Sequence, residues 1–322
     1  MVRALADGFR SLLRNYGLVL LVLASNLALA LVLAVPFSSQ LRADLVHTGA
    51  SSRMMYGFDY EWWSRFDSRA RGFASAFAPD LVGTGFVYRN LDLLLRGAVP
   101  GGLFSGGAGA DPALLGLGLV YWLLQVFLSG GLIGVFRAPA GGWTFRGLVH
   151  GSGFYFARLL RVSLLALAGA GLVYAGYARL AHWTNALAEE AVSERSALAI
   201  VLGRSALLLG ALVCVHAVSS YAKVIVVCEE RRSALLAVAS SLGFCARNLG
   251  AALGQYLVVG ALGLALIALF SVLDGRLQVS GWSSQLVALA LFEGFVAARI
   301  ALRLGLLAGQ VELQQAGGRT RG

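Results

Sequence analysis

Six long apolar runs constrain this chain more than any other feature: Tyr16–Phe37, Ala113–Phe136, Val162–Trp183, Ala197–Val218, Leu249–Leu273 and Gln285–Leu306. A helix needs about 20 predominantly apolar residues to cross the hydrocarbon core of a bilayer. Composition agrees, with 58% of the 322 residues apolar and 13% charged, against about 25% charged in ordinary soluble domains. A single water-soluble core could not cover that much apolar side chain with polar surface. A soluble enzyme, a disordered tail and a disulfide scaffold are therefore excluded. The expected fold is all-α: a polytopic helical integral membrane protein with six transmembrane helices, arranged as three hairpins. The third and sixth runs are interrupted by Arg179 and by Glu293, Arg299 and Arg303. Ala28, Ala30 and Ala34 allow the first run to be read as a signal peptide. Its apolar stretch exceeds the 7–15 residues of a signal core, so it is expected to stay as the first span.

Charge gives orientation. The net charge is +10, and of 26 basic residues only Lys223 is not arginine. The arginines are scattered between apolar runs instead of forming one stripe, so nucleic acid is not an expected partner. With the N-terminus inside, the inner segments carry fifteen basic residues, and the short outer connections carry Arg179, Arg195 and Arg276 alone. The positive-inside rule then places both termini in the cytoplasm and predicts a multi-pass membrane protein. Cys214, Cys228 and Cys245 show no metal or disulfide spacing.

A loose internal repeat organises the inner segments 1–15, 137–161 and 219–248. Each lead-in to an outgoing span is an amphipathic elbow built on Gly-Phe followed by Arg: Gly8-Phe9-Arg10…Arg14, Gly153-Phe154…Arg158…Arg161, and Gly243-Phe244…Arg247. Such helices lie in the interface, arginines against anionic headgroups and Phe or Leu in the acyl boundary. Residues 307–322 read as a cytoplasmic tail. Between the first two spans lies a large outer insertion, 38–112. In it Phe58, Trp62, Phe66, Ala70, Phe73 and Phe77 recur at helical spacing, and a second helix is expected over Val82–Arg96. This insertion reads either as a cap over the bundle or a partner surface, or as two helices lying on the outer leaflet.

Signatures of chemistry are sparse. No phosphate-binding loop, zinc motif or nucleophile elbow occurs, and His47, His150, His182 and His216 are scattered; no catalytic centre, metal or cofactor is expected. Charges inside spans are the informative exceptions. Arg204 and Glu293 lie at similar depth on two inward-running spans. They form a candidate polar pair, either a pathway element or a structural tie. Arg299 and Arg303, one turn apart, are explained by snorkelling. Gln125 and Ser129 are expected to hydrogen-bond between helices, and Gly130/Gly134 and Gly250/Gly254 have the spacing of close helix contacts.

The densest local motif runs Tyr221-Ala222-Lys223, then Glu229-Glu230-Arg231-Arg232-Ser233, then Ser241-Leu242-Gly243-Phe244 and Arg247-Asn248. Over residues 197–275 this pattern resembles uncharacterised bacterial multi-pass membrane proteins. More loosely, it is similar to the membrane domain fused to glycerophosphodiester phosphodiesterases. Ser220 stands where those proteins commonly carry an acid, and their catalytic domain is absent, so the resemblance implies a fold and a location without phosphodiester chemistry. The expected function is a non-catalytic membrane scaffold or accessory subunit. Glu229, Glu230, Arg231, Arg232 and Arg247 would dock a protein partner or anionic lipid headgroups. The alternative is transport, either as a permease subunit coupled to a separate cytosolic ATPase or as a small secondary transporter using Arg204 and Glu293.

Overall fold

The computed structural model describes residues 1–48, 59–70, 112–138, 143–190, 193–277 and 281–319. They form nine helices: α1 (Val2–Arg14), α2 (Gly17–Thr48), α3 (Tyr60–Arg69), α4 (Pro112–Arg137), α5 (Phe145–Glu189), α6 (Glu194–Cys228), α7 (Ala234–Arg247), α8 (Leu249–Asp274) and α9 (Trp282–Arg319). Six of these, α2, α4, α5, α6, α8 and α9, are long and apolar enough to cross a membrane, and no strand occurs among the described residues. The fold is all-α and polytopic. Its outer girdle is greasy: Leu172, Leu257 and Leu264 are 75%, 74% and 70% exposed. A bilayer, unlike water, solvates such side chains without cost.

The elbows exist, and two of them end by the same device. Arg14-Asn15 and Arg247-Asn248 close α1 and α7. Both asparagines leave the helical conformation, and each side-chain amide donates to a carbonyl four residues back, Ser11 O at 2.9 Å and Phe244 O at 3.1 Å. Asparagine competes with the helix ladder for such carbonyls. The corresponding dipeptide of the second elbow is Arg161-Val162, and with no asparagine the helix runs on. Elbow and third span are therefore one helix, α5, of 45 residues. At 1.5 Å per residue it is about twice as long as the hydrocarbon core is thick. This corrects the expected break near residue 161.

Packing of the elbows closes the bundle. Each elbow lies on the end of the returning span before it in a cyclic order: α1 on α9, the start of α5 on α4, and α7 on α6. Small residues allow the approach. A Cβ on Gly8 would stand 2.4 Å from Gly309 N, and one on Gly131 would stand 2.4 Å from Leu148 O. Gly131 N donates to Ser152 Oγ at 3.2 Å, and Ser241 Oγ donates to Val218 O at 2.6 Å. The returning spans α4, α6 and α9 touch one another, so they meet at the centre. We call the end of the bundle that carries the elbows the elbow side.

Three sequence expectations change here. The segment after Leu306 is no loose tail, because α9 continues to Arg319 and Ala308, Gln310 and Val311 are buried. One member of each glycine pair, Gly134 and Gly250, faces open space, while its mate does approach a neighbour: a Cβ on Gly130 would stand 3.2 Å from Gly151 O, and one on Gly254 would meet Met1; Gly131, Gly305 and Gly309 make further close contacts. In the insertion, helix α3 packs on an extension of α2 that continues past the expected end of the first span at Phe37. Trp62 and Phe66 pack on Phe37, Leu41 and Leu45 of α2, which runs through Pro36 to Thr48. Trp62 Nε1 donates to Asp44 Oδ2 at 2.7 Å, and Arg69 pairs with Asp44 at 3.3 Å. Phe58, Phe73, Phe77 and the helix expected over Val82–Arg96 lie outside the described residues.

Candidate functional site

The centre of the bundle holds polar residues that no apolar tally reveals. Gln125 and Ser129 come from α4, His216, Ser219 and Lys223 from α6, and Arg303 from α9. These six line two adjoining cavities. One, of about 110 Å³, is closed on its far wall by Val22 and Asn26 of α2. The other, of about 350 Å³, runs between α4, α5 and α6. Two of the lining residues have a shared origin in the packing: Gln125 and Arg303 each precede by six positions a glycine, Gly131 or Gly309, on which an elbow rests.

The charge of the chamber is one-sided. Lys223 and Arg303 are close enough for their charges to interact, and no carboxylate lines either cavity. Among the described residues neither cation makes a hydrogen bond or an ion pair. Two like charges held together in a medium of reduced dielectric repel and are costly unless hydrated or neutralised. Gln125 is partly committed, since its Nε2 donates to Asn26 Oδ1 at 3.3 Å as an interhelical bond. Ser129 instead bonds within its own helix, to Val126 O at 2.6 Å. Chemically, the arrangement attracts an anion and offers it guanidinium, ammonium and neutral polar groups.

Below the chamber the helices are locked. Ser220 Oγ donates to Gln310 Oε1, and Gln310 Nε2 donates to Tyr256 Oη at 3.0 Å. Tyr221 Oη donates to Gln255 Oε1 at 3.2 Å, and Gln255 Nε2 donates to Gly309 O at 3.1 Å. Tyr221, Gln255 and Gln310 are fully buried, so this satisfied network fixes α6, α8 and α9 against one another. The Tyr221-Ala222-Lys223 motif thereby divides its labour, with Tyr221 in the lock and Lys223 in the chamber. Gln255 and Gln310 are not marked by the sequence, Gln255 being a single polar residue in an apolar run and Gln310 falling in the segment expected to be a tail. Buried glutamines within an elbow's reach of a span end were the available signal.

The candidate pair does not form. Arg204 Nη1 donates to Ala181 O at 3.4 Å, to Thr184 Oγ1 at 3.3 Å and to Asn185 Oδ1, all on α5. No ion pair joins it to Glu293 among the described residues. Similar depth is not enough, because α5 is the neighbour that Arg204 faces.

The candidate docking residues separate into two groups. Glu230, with φ of 54°, sits at the turn after α6 and is held by Arg137, whose Nη1 donates to Glu230 Oε1 at 3.1 Å and to Val227 O at 2.8 Å. Glu229 accepts from Gln314 Nε2 at 2.9 Å and from Arg231 Nε at 2.7 Å, and Arg231 also donates to Ser240 Oγ at 2.8 Å. These three residues tie the ends of α4, α6, α7 and α9 together. Arg232 and Arg247 remain exposed beside Leu235, Leu236 and Leu242, the open face of α7. Cys245 lies on the same elbow, and burial pushes its thiol up from the ordinary range. No group of three or more His, Cys, Asp and Glu side chains fit to hold a metal occurs among the described residues. The chain matches no known family, no curated protein and no solved structure.

Proposed function

We propose that this chain is a multi-pass protein of a bacterial inner membrane, with both termini cytoplasmic, that binds an anion in its central chamber and serves as a non-catalytic transport or accessory component. One observation carries the reading: Lys223 of α6 and Arg303 of α9 converge on a cavity where, among the described residues, neither has an ion-pair partner and no carboxylate lines the wall. The arginine distribution makes the elbow side the cytoplasmic side, so the chamber is reached from the inner half of the membrane. The geometry favours a ligand in the chamber over a partner or cytosolic ATPase docked through Glu229 and Glu230, whose carboxylates are spent on ties within the chain. A secondary transporter built on Arg204 and Glu293 is likewise disfavoured, since the two do not meet. The exposed Arg232, Arg247 and leucines of α7 favour one further contact, with anionic headgroups at the surface.

The test is thermal unfolding of the detergent-purified chain across a panel of anions: inorganic phosphate, sulfate, citrate and anionic amphiphiles. A ligand that binds only the folded state raises the melting temperature. At least one anion is expected to stabilise the wild type and to lose that effect in Lys223→Gln and Arg303→Gln. If no anion shifts the wild type, or if both variants respond as it does, the reading fails.

A further inference from the structure

The larger cavity is amphipathic along its length, and three helices agree on the direction. On α4 and α6, which run toward the elbow side, Trp122, Leu212 and Val215 come before the polar positions Gln125, Ser129, His216, Ser219 and Lys223. On α5, which runs the opposite way, Ser163 comes first, followed by Ala166, Leu167 and Ala170. The end near the elbows is thus cationic and hydrogen-bonding, and the end toward the middle of the membrane is apolar. Leu212 to Lys223 is eleven residues, about 16 Å of helix. That is roughly half the ~30 Å hydrocarbon thickness, the depth of one leaflet. Leu167, which lines the groove, is 63% exposed, so the groove opens sideways to the surface that faces lipid.

An orphaned hydroxyl stands on α5 just before its apolar lining residues. Ser163 is 4% exposed and its Oγ is buried without a hydrogen-bond partner. Serine in a helix ordinarily bonds back to a carbonyl of the preceding turn, and a buried polar group left unsatisfied is costly. A glycerol or ester oxygen between a headgroup at Lys223 and a chain along Leu212 would satisfy it.

We infer that the groove between α4, α5 and α6 binds an anionic lipid of the cytoplasmic leaflet, its headgroup phosphate against Lys223 and Arg303 and one acyl chain along Leu167, Leu212 and Val215. The inference rests on the anion-binding reading above and specifies its ligand. A soluble anion would need the cations and have no use for the apolar half.

The experiment measures binding of phosphatidylglycerol to the purified full-length chain by native mass spectrometry and thermal shift. Phosphatidylcholine of the same chains and inorganic phosphate at matched concentration are run beside it. Phosphatidylglycerol is expected to bind and stabilise, and the two controls to have little effect. Lys223→Gln should weaken binding about tenfold, equivalent to about 1.4 kcal/mol, and the conservative Lys223→Arg should retain most of it. Ala170→Leu, which fills the apolar half and leaves the cations in place, should weaken binding comparably. If inorganic phosphate stabilises as well as the lipid, and Ala170→Leu changes nothing, the lipid assignment is overturned and the anion site survives. If phosphatidylglycerol stabilises every variant equally, the lipid binds elsewhere on the girdle and the inference is wrong. If no anion on the panel binds, both readings go together.

Discussion

Arg204 and Glu293 show what a single charge in a span does when its neighbours decide its partner. Arg204 reaches three acceptors on α5, and interhelical hydrogen bonds in membranes average about 0.6 kcal/mol, with charged groups worth more. Arg204→Ala is expected to destabilise the fold by about 1–2 kcal/mol in a detergent melt. Glu293→Gln should change it little, and the double variant should show the sum of the two. A coupling energy clearly different from zero would restore the pair. Depth was legible in the sequence because rise per residue is fixed. Rotation about the helix axis was not, and rotation is what separates Arg204 from Glu293 and brings Lys223 to Arg303. Snorkelling accounts for both Arg299 and Arg303 in the sequence; the meeting of Arg303 with a lysine eighty positions earlier leaves no trace there. Cys245 offers a pH-dependent readout. Burial raises the thiol pKa in the folded state, so less reactive thiolate is present at neutral pH than on an exposed cysteine. Maleimide labelling of Cys245 in the folded chain should be slow at pH 7, should rise as pH is raised past the ordinary thiol range, and should match a free thiol after unfolding.

Among elements, the six spans were read correctly in kind because hydropathy reports them directly. What hydropathy does not report is where a helix stops when both sides can be helical. Asn15 and Asn248 end their elbows, and Val162 lets α5 continue. Nor does spacing say which glycine faces a neighbour. Gly134 shares its motif with Gly130 but looks into open space, and Gly305 and Gly309, four apart and unremarked in the sequence, receive Phe9 and Leu5 of α1. Gly309→Leu is therefore expected to cost about 1–3 kcal/mol or more by overpacking against the α1 backbone. Gly134→Ala should be neutral or slightly stabilising through helix propensity. Melting of the two variants side by side checks the assignment. In the insertion, Trp62 and Phe66 of the aromatic stripe fall on α3, which ends at Arg69 with Ala70 already out of the helix; its partner could not be foreseen, because α2 was expected to end at Phe37. Asp44 joins the two helices by accepting from Trp62 and Arg69. Asp44→Ala should loosen α3 and speed tryptic cleavage at Arg65 and Arg69, with the melting of the bundle nearly unchanged.

At the scale of the whole molecule, three hairpins become one closed body because each elbow is clamped to the return span of the hairpin before it. The last clamp joins the two ends of the chain. Helix α1 lies across α9 through Leu5, Gly8 and Leu12, and Leu5 and Leu12 are buried. Closure has a functional corollary: the three return spans that hold the elbows are the spans that carry Gln125, Ser129, His216, Ser219, Lys223 and Arg303 into the chamber. Gln255 ties to the carbonyl of Gly309, the residue under α1, and Gln310 beside it bonds Ser220. The position of Arg303 is therefore set from the elbow side by contacts that α1 completes. Each buried leucine is worth about 1.5–3 kcal/mol when it leaves water. Deleting residues 2–14 is expected to lower the melting temperature substantially and to weaken anion binding at Lys223 and Arg303 in the protein that remains folded. A synthetic peptide of residues 1–15 added in trans should restore both, and the same peptide carrying Gly8→Leu should restore neither. If deletion leaves the chamber's affinity untouched while the bundle still melts cooperatively, the ring is closed by the spans alone, and α1 is an interfacial anchor with no part in holding the site.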